Sequence, residues 1–376
     1  MAKDTKGSSH SEGDQDFKKF YNPRVVSIGP YHHGKPHLHP VEMIKPLCAQ
    51  NFLAGSNQYI EALYKKIESD IEAVRNCYDK KPTNRYDNEA LAWMMLLDGC
   101  FLLRFIRSPA NMGKYLRDHQ INFVEEDLLF LENQLPFGVL KLIFEGANFK
   151  VGLPVEKKMK EFVTDAECPE WSTSEIELEE DEEPSHLLDL LRSALLGQSQ
   201  PKQEQQPEKK GKKSCRDASP TEWNEILERH SFNSYVFYGC LKLPRIIIDD
   251  FTKRKFLNIL AYEICPDAPD DYGVTSYICL LDDLIDHADD GKELRSKHIL
   301  YNCLGRDEDV AQLFNEIGNG LVDPGAYKDV KDRIQEYLDS SSPSQPFHYC
   351  MDYDGFHCCC FDAISCWGSD LLRSSG

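Results

Sequence analysis

The run from Leu91 to Ile106, LAWMMLLDGCFLLRFI, is the segment that most limits what this chain can become. A helix that is apolar on nearly every face has to be covered on every side, by lipid or by protein. Asp98 and Arg104 argue against lipid, because a spanning helix needs about 20 residues nearly free of charge. The run therefore predicts a buried core helix. Near the C-terminus only Cys358 to Trp367 is apolar, about half the length a bilayer needs, and Asp362 interrupts it. No stretch of this sequence reads as an integral membrane segment.

Other helices follow from spacing. Ile60, Leu63, Tyr64, Ile67, Ile71, Val74 and Tyr78 recur at three- and four-residue steps and predict one amphipathic helix. Glu125 to Phe144, with Leu128, Leu131, Leu135, Val139, Leu140 and Ile143, predicts another, which Pro136 should kink or divide because proline lacks the amide for the i to i−4 bond. In the second half, Phe256, Ile259, Leu260 and Ile264 make one face, and Tyr277, Leu280, Leu281, Leu284 and Ile285 a second. Val310, Leu313, Phe314 and Ile317 make a third, opened by Asp307 and closed by Gly318-Asn319-Gly320, and Tyr327, Val330, Ile334, Tyr337 and Leu338 a last one. SYVFYGCLKLPRIII, Ser234 to Ile248, predicts one or two short strands.

Strands never alternate with helices in a βαβ rhythm, so the predicted fold class is mainly α, with two helical blocks packed as one body and a few short strands. The second block is read as cover for Leu91 to Ile106. The plan is a flexible leader (1–20), an N-terminal helical block (21–164), an acidic and Gln/Lys-rich disordered linker with a short helix (165–216), a C-terminal helical block (217–339) and a Ser/Pro/Cys-rich tail (340–376). From Asp165 to Glu183 there are ten acidic residues and no lysine or arginine, a block that repels itself and stays solvated. His186 to Leu196 is a short amphipathic piece, and Gln198 to Lys213 has no hydrophobic residue at all. Its Lys209-Lys210-Gly211-Lys212-Lys213 reads as solvated linker in preference to a nuclear address. Ser219-Pro220-Thr221-Glu222 reads as a helix start.

Charge narrows the partners. Lysine and arginine number 43 against 63 aspartates and glutamates, and the net charge of −20 disfavours nucleic acid and anionic bilayers. The N-terminus has no apolar signal region, so the 14 cysteines are expected to be reduced and the chain cytoplasmic.

Candidate chemistry is sparse. His32, His33, His37 and His39 fall within eight residues and are the candidate metal ligands, since neutral imidazoles hold zinc or copper. No C-x-x-C pair is present to complete a zinc site, and a loop of hydrogen-bonded or exposed histidines is the preferred reading. The triplet Cys358-Cys359-Cys360 points its thiols in different directions, and palmitoylation there is the other use considered. Gly318-Asn319-Gly320 has Asp323 where the third glycine of a dinucleotide fingerprint belongs, and no P-loop, EF-hand, G-x-S-x-G or H-E-x-x-H signature occurs. No cofactor and no catalytic residue is assigned. Glu132-Asn133-Gln134, large polar side chains between apolar turns, must be exposed or bonded, and bonding to the backbone groups that Pro136 frees is preferred to acid/base catalysis.

Several ordered motifs carry a resemblance. Val26-Ser27-Ile28-Gly29-Pro30-Tyr31-His32-His33-Gly34, then Glu42-Met43 and Lys45, then Asp98-Gly99-Cys100-Phe101-Leu102-Leu103, then Asp127-Leu128-Leu129-Phe130-Leu131-Glu132-Asn133-Gln134-Leu135-Pro136-Phe137 resemble the plant family filed as domain of unknown function 247. Leu243-Pro244 with Ile247-Ile248-Asp249-Asp250, Asn258-Ile259-Leu260-Ala261-Tyr262-Glu263, and Asn302-Cys303-Leu304-Gly305 running into Leu313-Phe314-Asn315 resemble its later motifs in the same order. The resemblance implies a plant protein with no established catalytic activity, relatives usually tethered by a C-terminal transmembrane helix, and for some grass members an association with pollen self-incompatibility. This chain departs from that pattern after Leu338, where no hydrophobic span follows, so a membrane anchor is not carried over. The expectation is a non-catalytic recognition or signalling protein acting through protein partners. The alternative is an enzyme or metal-binding protein that uses the His32–His39 loop.

Overall fold

The computed structural model describes residues 19–54, 56, 58–147, 155–165, 183–196, 232–234, 239–243, 245–266, 268–340 and 347–351. Most of the leader and of the acidic and Gln/Lys linker, the start read at Ser219 and the cysteine triplet lie outside these residues.

In chain order the longer helices of the first half are α1 (Lys45–Leu53), α2 (Ile60–Ser69), α3 (Ile71–Asn76), α4 (Asn88–Arg107), α5 (Asp118–Asp127), α6 (Phe137–Ala147), α7 (Val155–Asp165) and α8 (Leu187–Leu196). They are followed by β1 (Phe232–Ser234), β2 (Gly239–Leu243), β3 (Ile246–Ile248), α9 (Thr252–Glu263), α10 (Gly273–Leu284), α11 (Ala288–Ser296), β4 (Leu300–Asn302), α12 (Asp307–Gly318), α13 (Lys328–Ser340) and β5 (Phe347–Met351). The fold is mainly α. Its described residues fall in two compact units, one drawn from Met1–Ser172, Asp181–Arg192 and Arg254–Tyr262, the other from Thr173–Glu180, Ser193–Lys253 and Glu263–Gly376.

The first unit is organised on α4. Asp87 opens this helix by accepting the Ala90 amide at 2.7 Å, and residues on all its faces are buried, Asp98 among them. Helices α1, α2, α6 and α7 pack against it. Gly99 permits the closest approach, because a Cβ there would stand 2.4 Å from Ile143 Cδ1 of α6. The stripe from Ile60 to Tyr78 is two helices and not one. The chain leaves helical geometry at Asp70 (φ −105, ψ 11), and Tyr78 lies beyond α3, where its hydroxyl donates to the Gln134 carbonyl at 3.1 Å.

Glu125 to Phe144 is divided at Pro136, the second of the two outcomes read from its spacing, and the break is longer than a proline alone requires: α5 stops at Asp127, residues 128–136 form a turn-rich connection, and α6 starts right after Pro136, where a missing amide costs nothing. Apolar residues at helical spacing here come from a folded connection whose Leu128, Leu129, Phe130 and Leu135 are all buried.

In the second unit the buried carboxylate of Glu263 caps α10, accepting the amides of Val274 (2.9 Å) and Thr275 (2.8 Å) and the Thr275 hydroxyl (2.6 Å). Helix α12 runs as its spacing predicts, and α10 and α11 pack on it. Arg295 of α11 grips Asp307 with two bonds of 2.9 and 2.7 Å. The segment from Ser234 to Ile248 holds the two short strands β2 and β3, and β1 ends at its first residue. Strand β2 lies between β1, antiparallel (Phe232 opposite Leu241), and β5, parallel (Gly239 opposite Phe347). Strand β3 pairs with β4 in parallel. Among the described residues no helix is long and apolar enough to cross a membrane.

Candidate functional site

The motifs singled out in the first half converge on one buried segment, residues 24–29. Val25, Val26, Ser27 and Ile28 are buried but belong to no helix or sheet, so their backbone polar groups need partners from elsewhere. Side chains supply them. Asp127, at the end of α5, accepts the amides of Arg24 (2.8 and 3.0 Å), Val25 (2.6 Å) and Val26 (3.0 Å). Asn133 accepts from the Ile28 amide at 2.7 Å and donates to the carbonyls of Val26 (3.2 Å) and Asp127 (2.8 Å). Asp98 of α4 accepts the Gly29 amide at 2.8 Å, and Lys45 of α1 donates to the Ser27 carbonyl at 2.6 Å.

Lys45 is fully buried and holds two carboxylates as well, Glu42 and Asp98, each at 2.5 Å. Burial raises the Asp98 carboxyl above its ordinary range, and Lys45 pulls against that rise. Burial also works on Glu42, but the neighbouring His33 and the hydrogen bonds from Lys45 and Ser27 outweigh it and bring that carboxyl down to about 2. Asp127 is pushed up to about 6 by burial, opposed by the amides and guanidinium it faces. Arg24 closes the outer end of the segment, ion-paired to Glu126 with its guanidinium 3.9 Å from the centre of the Phe123 ring.

Gly29 ends the segment at φ +73, and a Cβ there would lie 2.9 Å from the Gln134 carbonyl oxygen and 3.2 Å from the Tyr78 hydroxyl. Gln134 staples its own connection, donating to the carbonyls of Leu128 and Phe130 (both 2.8 Å) and accepting the Leu188 amide at 3.1 Å. Asn258 of α9 accepts the Leu131 amide at 2.9 Å and donates to the Phe20 carbonyl at 3.0 Å. Leu135 and Phe137 are core residues beside Pro136.

The structure separates the histidines. His32 is buried, with Nδ1 2.6 Å from Lys35 Nζ and Nε2 3.3 Å from Glu132. His33 sets Nδ1 3.4 Å from Glu42, and its ring lies edge-on to Tyr86. His37 approaches the Pro23 carbonyl with Nε2 at 3.1 Å, and His39 is exposed at the start of a short helical turn, His39–Glu42. Among the described residues no group of three or more histidine, cysteine, aspartate or glutamate side chains is arranged to hold a metal ion. Asn133 bonds the segment and Gln134 its own connection, not the groups beside Pro136 named from sequence, and Glu132 faces His32. The roles of Lys45, Asp98 and Asp127 escaped sequence reasoning, although one signal was available for the first two: each is a lone charge among apolar residues, and such a charge needs a partner. Chemically, these carboxylates and amides have their lone pairs and hydrogens committed to neighbouring backbone, which is the work of a clamp.

Residues 10–351 match the family DUF247, described as plant protein of unknown function. Two proteins of Arabidopsis thaliana are similar. The UPF0481 protein At3g47200 is 27% identical over 343 residues, covering 81% of this chain and 70% of that protein. The putative UPF0481 protein At3g02645 is 33% identical over 128 residues, 33% of this chain and 24% of that protein. No solved structure matches.

Proposed function

Because the chain belongs to the plant family DUF247, in which sequence motif and structure are to be read together, we propose that it is a non-catalytic recognition or signalling protein that acts by binding a protein partner. One observation carries this reading: Lys45, Asp98, Asp127 and Asn133, four of the buried polar residues of the family-like motifs, are spent on holding residues 24–29. Motifs devoted to a scaffold leave specificity to the surface that the scaffold presents. A net charge of −20 favours a partner that is neither nucleic acid nor an anionic bilayer, and a cytoplasmic location fits it. A role in pollen self-incompatibility is the finer form of this reading.

The test is affinity capture with the tagged full chain from reproductive and vegetative plant tissue, read by quantitative mass spectrometry, together with metal analysis of the purified protein. A partner enriched reproducibly and rebinding in purified form supports the reading. A stoichiometric metal ion, lost when His32, His33 and His37 are replaced, would overturn it in favour of a metal-dependent protein.

A further inference from the structure

His32 and His33 are adjacent in sequence, yet the structure gives them different capacities. The Nδ1 of His32 faces the Lys35 ammonium, which can only donate, so this nitrogen accepts and the ring hydrogen sits on Nε2, toward Glu132.

His33 faces a group short of positive charge. The groups directed at it are Glu42 from the turn before α1, Lys45 from α1, Asp98 from α4, and Tyr86, whose ring centre is 5.7 Å away. Glu42 and Asp98 are two carboxylates, and Lys45, touching both, is a single ammonium. An imidazolium at His33, with Nδ1 3.4 Å from Glu42 Oε2, brings the cluster to neutrality. Beyond His33 the chain turns at Gly34, whose φ of +83 and open surroundings make it a natural hinge.

We infer that the His33–Glu42 pair is a pH-responsive clasp, fixing the Tyr31–Gly34 turn against the start of α1 when His33 is protonated and loosening it when the proton leaves. The Glu42 carboxylate facing Nδ1 outweighs burial and raises the His33 pKa above its ordinary value. A raised pKa in the closed state means that the added stability is full below the open-state value and is lost as pH rises through the closed-state one. The size of the effect is bounded by the ratio of the two dissociation constants, about tenfold where the two pKa values differ by one.

The experiment is hydrogen exchange of the full-length chain from pH 5.5 to 8.5, corrected for the intrinsic rate and read on peptides covering residues 29–38. In the wild type, protection of these peptides should fall several-fold as pH rises through the His33 pKa, itself measured from the ring resonance by comparison with His33→Gln. Both His33→Gln and Glu42→Gln should make the protection independent of pH, the first by removing the titrating ring and the second by removing the excess negative charge. Circular dichroism verifies that each variant is folded, and Glu42→Gln serves if His33→Gln is not. Wild-type protection that is flat or rises with pH, or a wild-type pH dependence retained in a folded variant, would overturn the inference.

Discussion

Replacing Asn133 by alanine tests the clamp most directly. The side chain is fully buried, and its loss strands the Ile28 amide and the Val26 carbonyl, while the Asp127 carbonyl keeps the Phe130 amide. An orphaned buried polar group costs about 1–3 kcal/mol, and a carbonyl with a second lone pair falls at the low end, so the sum is about 2–4 kcal/mol. That is a large part of the roughly 5–15 kcal/mol that keeps a typical domain folded. With a urea dependence of about 4 kcal/mol per molar for a chain of this size, the midpoint should fall by about 0.5–1 M. Urea titration followed by far-ultraviolet circular dichroism measures it. Asn133→Asp adds a control that packing alone cannot mimic. It keeps the acceptor for Ile28 but turns a carboxylate oxygen toward two carbonyls, so it should be at least as unstable as alanine at pH 7 and recover as the pH falls and the new carboxyl regains a hydrogen to donate. A midpoint for Asn133→Ala within about 0.2 M of wild type would refute the reasoning.

Three other perturbations address separate parts of the fold. Gly29→Ala combines a left-handed backbone with a Cβ 2.9 Å from the Gln134 carbonyl oxygen, and should lower stability by about 2–4 kcal/mol in the same urea assay. Lys45→Met leaves Glu42 and Asp98 buried without their ammonium, and should cost about 3–5 kcal/mol at pH 7. Since burial already raises the Asp98 pKa, removing Lys45 raises it further, so the melting temperature of this variant should climb toward wild type as the pH is lowered from 7 to 5. Glu263→Gln exchanges one of the two acceptor oxygens at the start of α10 for a donor, and should cost about 1–3 kcal/mol, with faster hydrogen exchange at Val274 or Thr275.

The helices of this protein were largely legible in its sequence because burial on one stripe leaves a period; α4, α10, α12 and α13 follow theirs, and α9 follows its own except at Ile264, which lies past the helix end and is exposed. The period misled where the chain folds back on itself. Leu128, Leu131 and Leu135 keep helical steps although they lie in a connection, which buries the consecutive residues Leu128, Leu129 and Phe130 and leaves Leu131 half-buried. Asp70 breaks its stripe without proline or glycine, so nothing in the local sequence marked the division between α2 and α3. In the site, the bonding role of Asn133 and Gln134 followed from their polarity among apolar neighbours. Their partners did not, because Ile28 and Leu188 are 105 and 54 residues away and only the tertiary fold brings them near.

Those separations matter during synthesis. Residues 24–28 are made early, whereas the side chains that satisfy their backbone at Asp127 and Asn133 follow 101 to 107 residues later. At the usual translation rate of about 5–20 residues per second, the ribosome needs about 5–20 s to deliver them. Throughout that interval Val25, Val26 and Ile28 form an apolar stretch without the clamp that later buries it, available to a nascent-chain chaperone or to another unfolded chain. Translation halted before Asn133 would release a fragment in which that stretch stays unclamped.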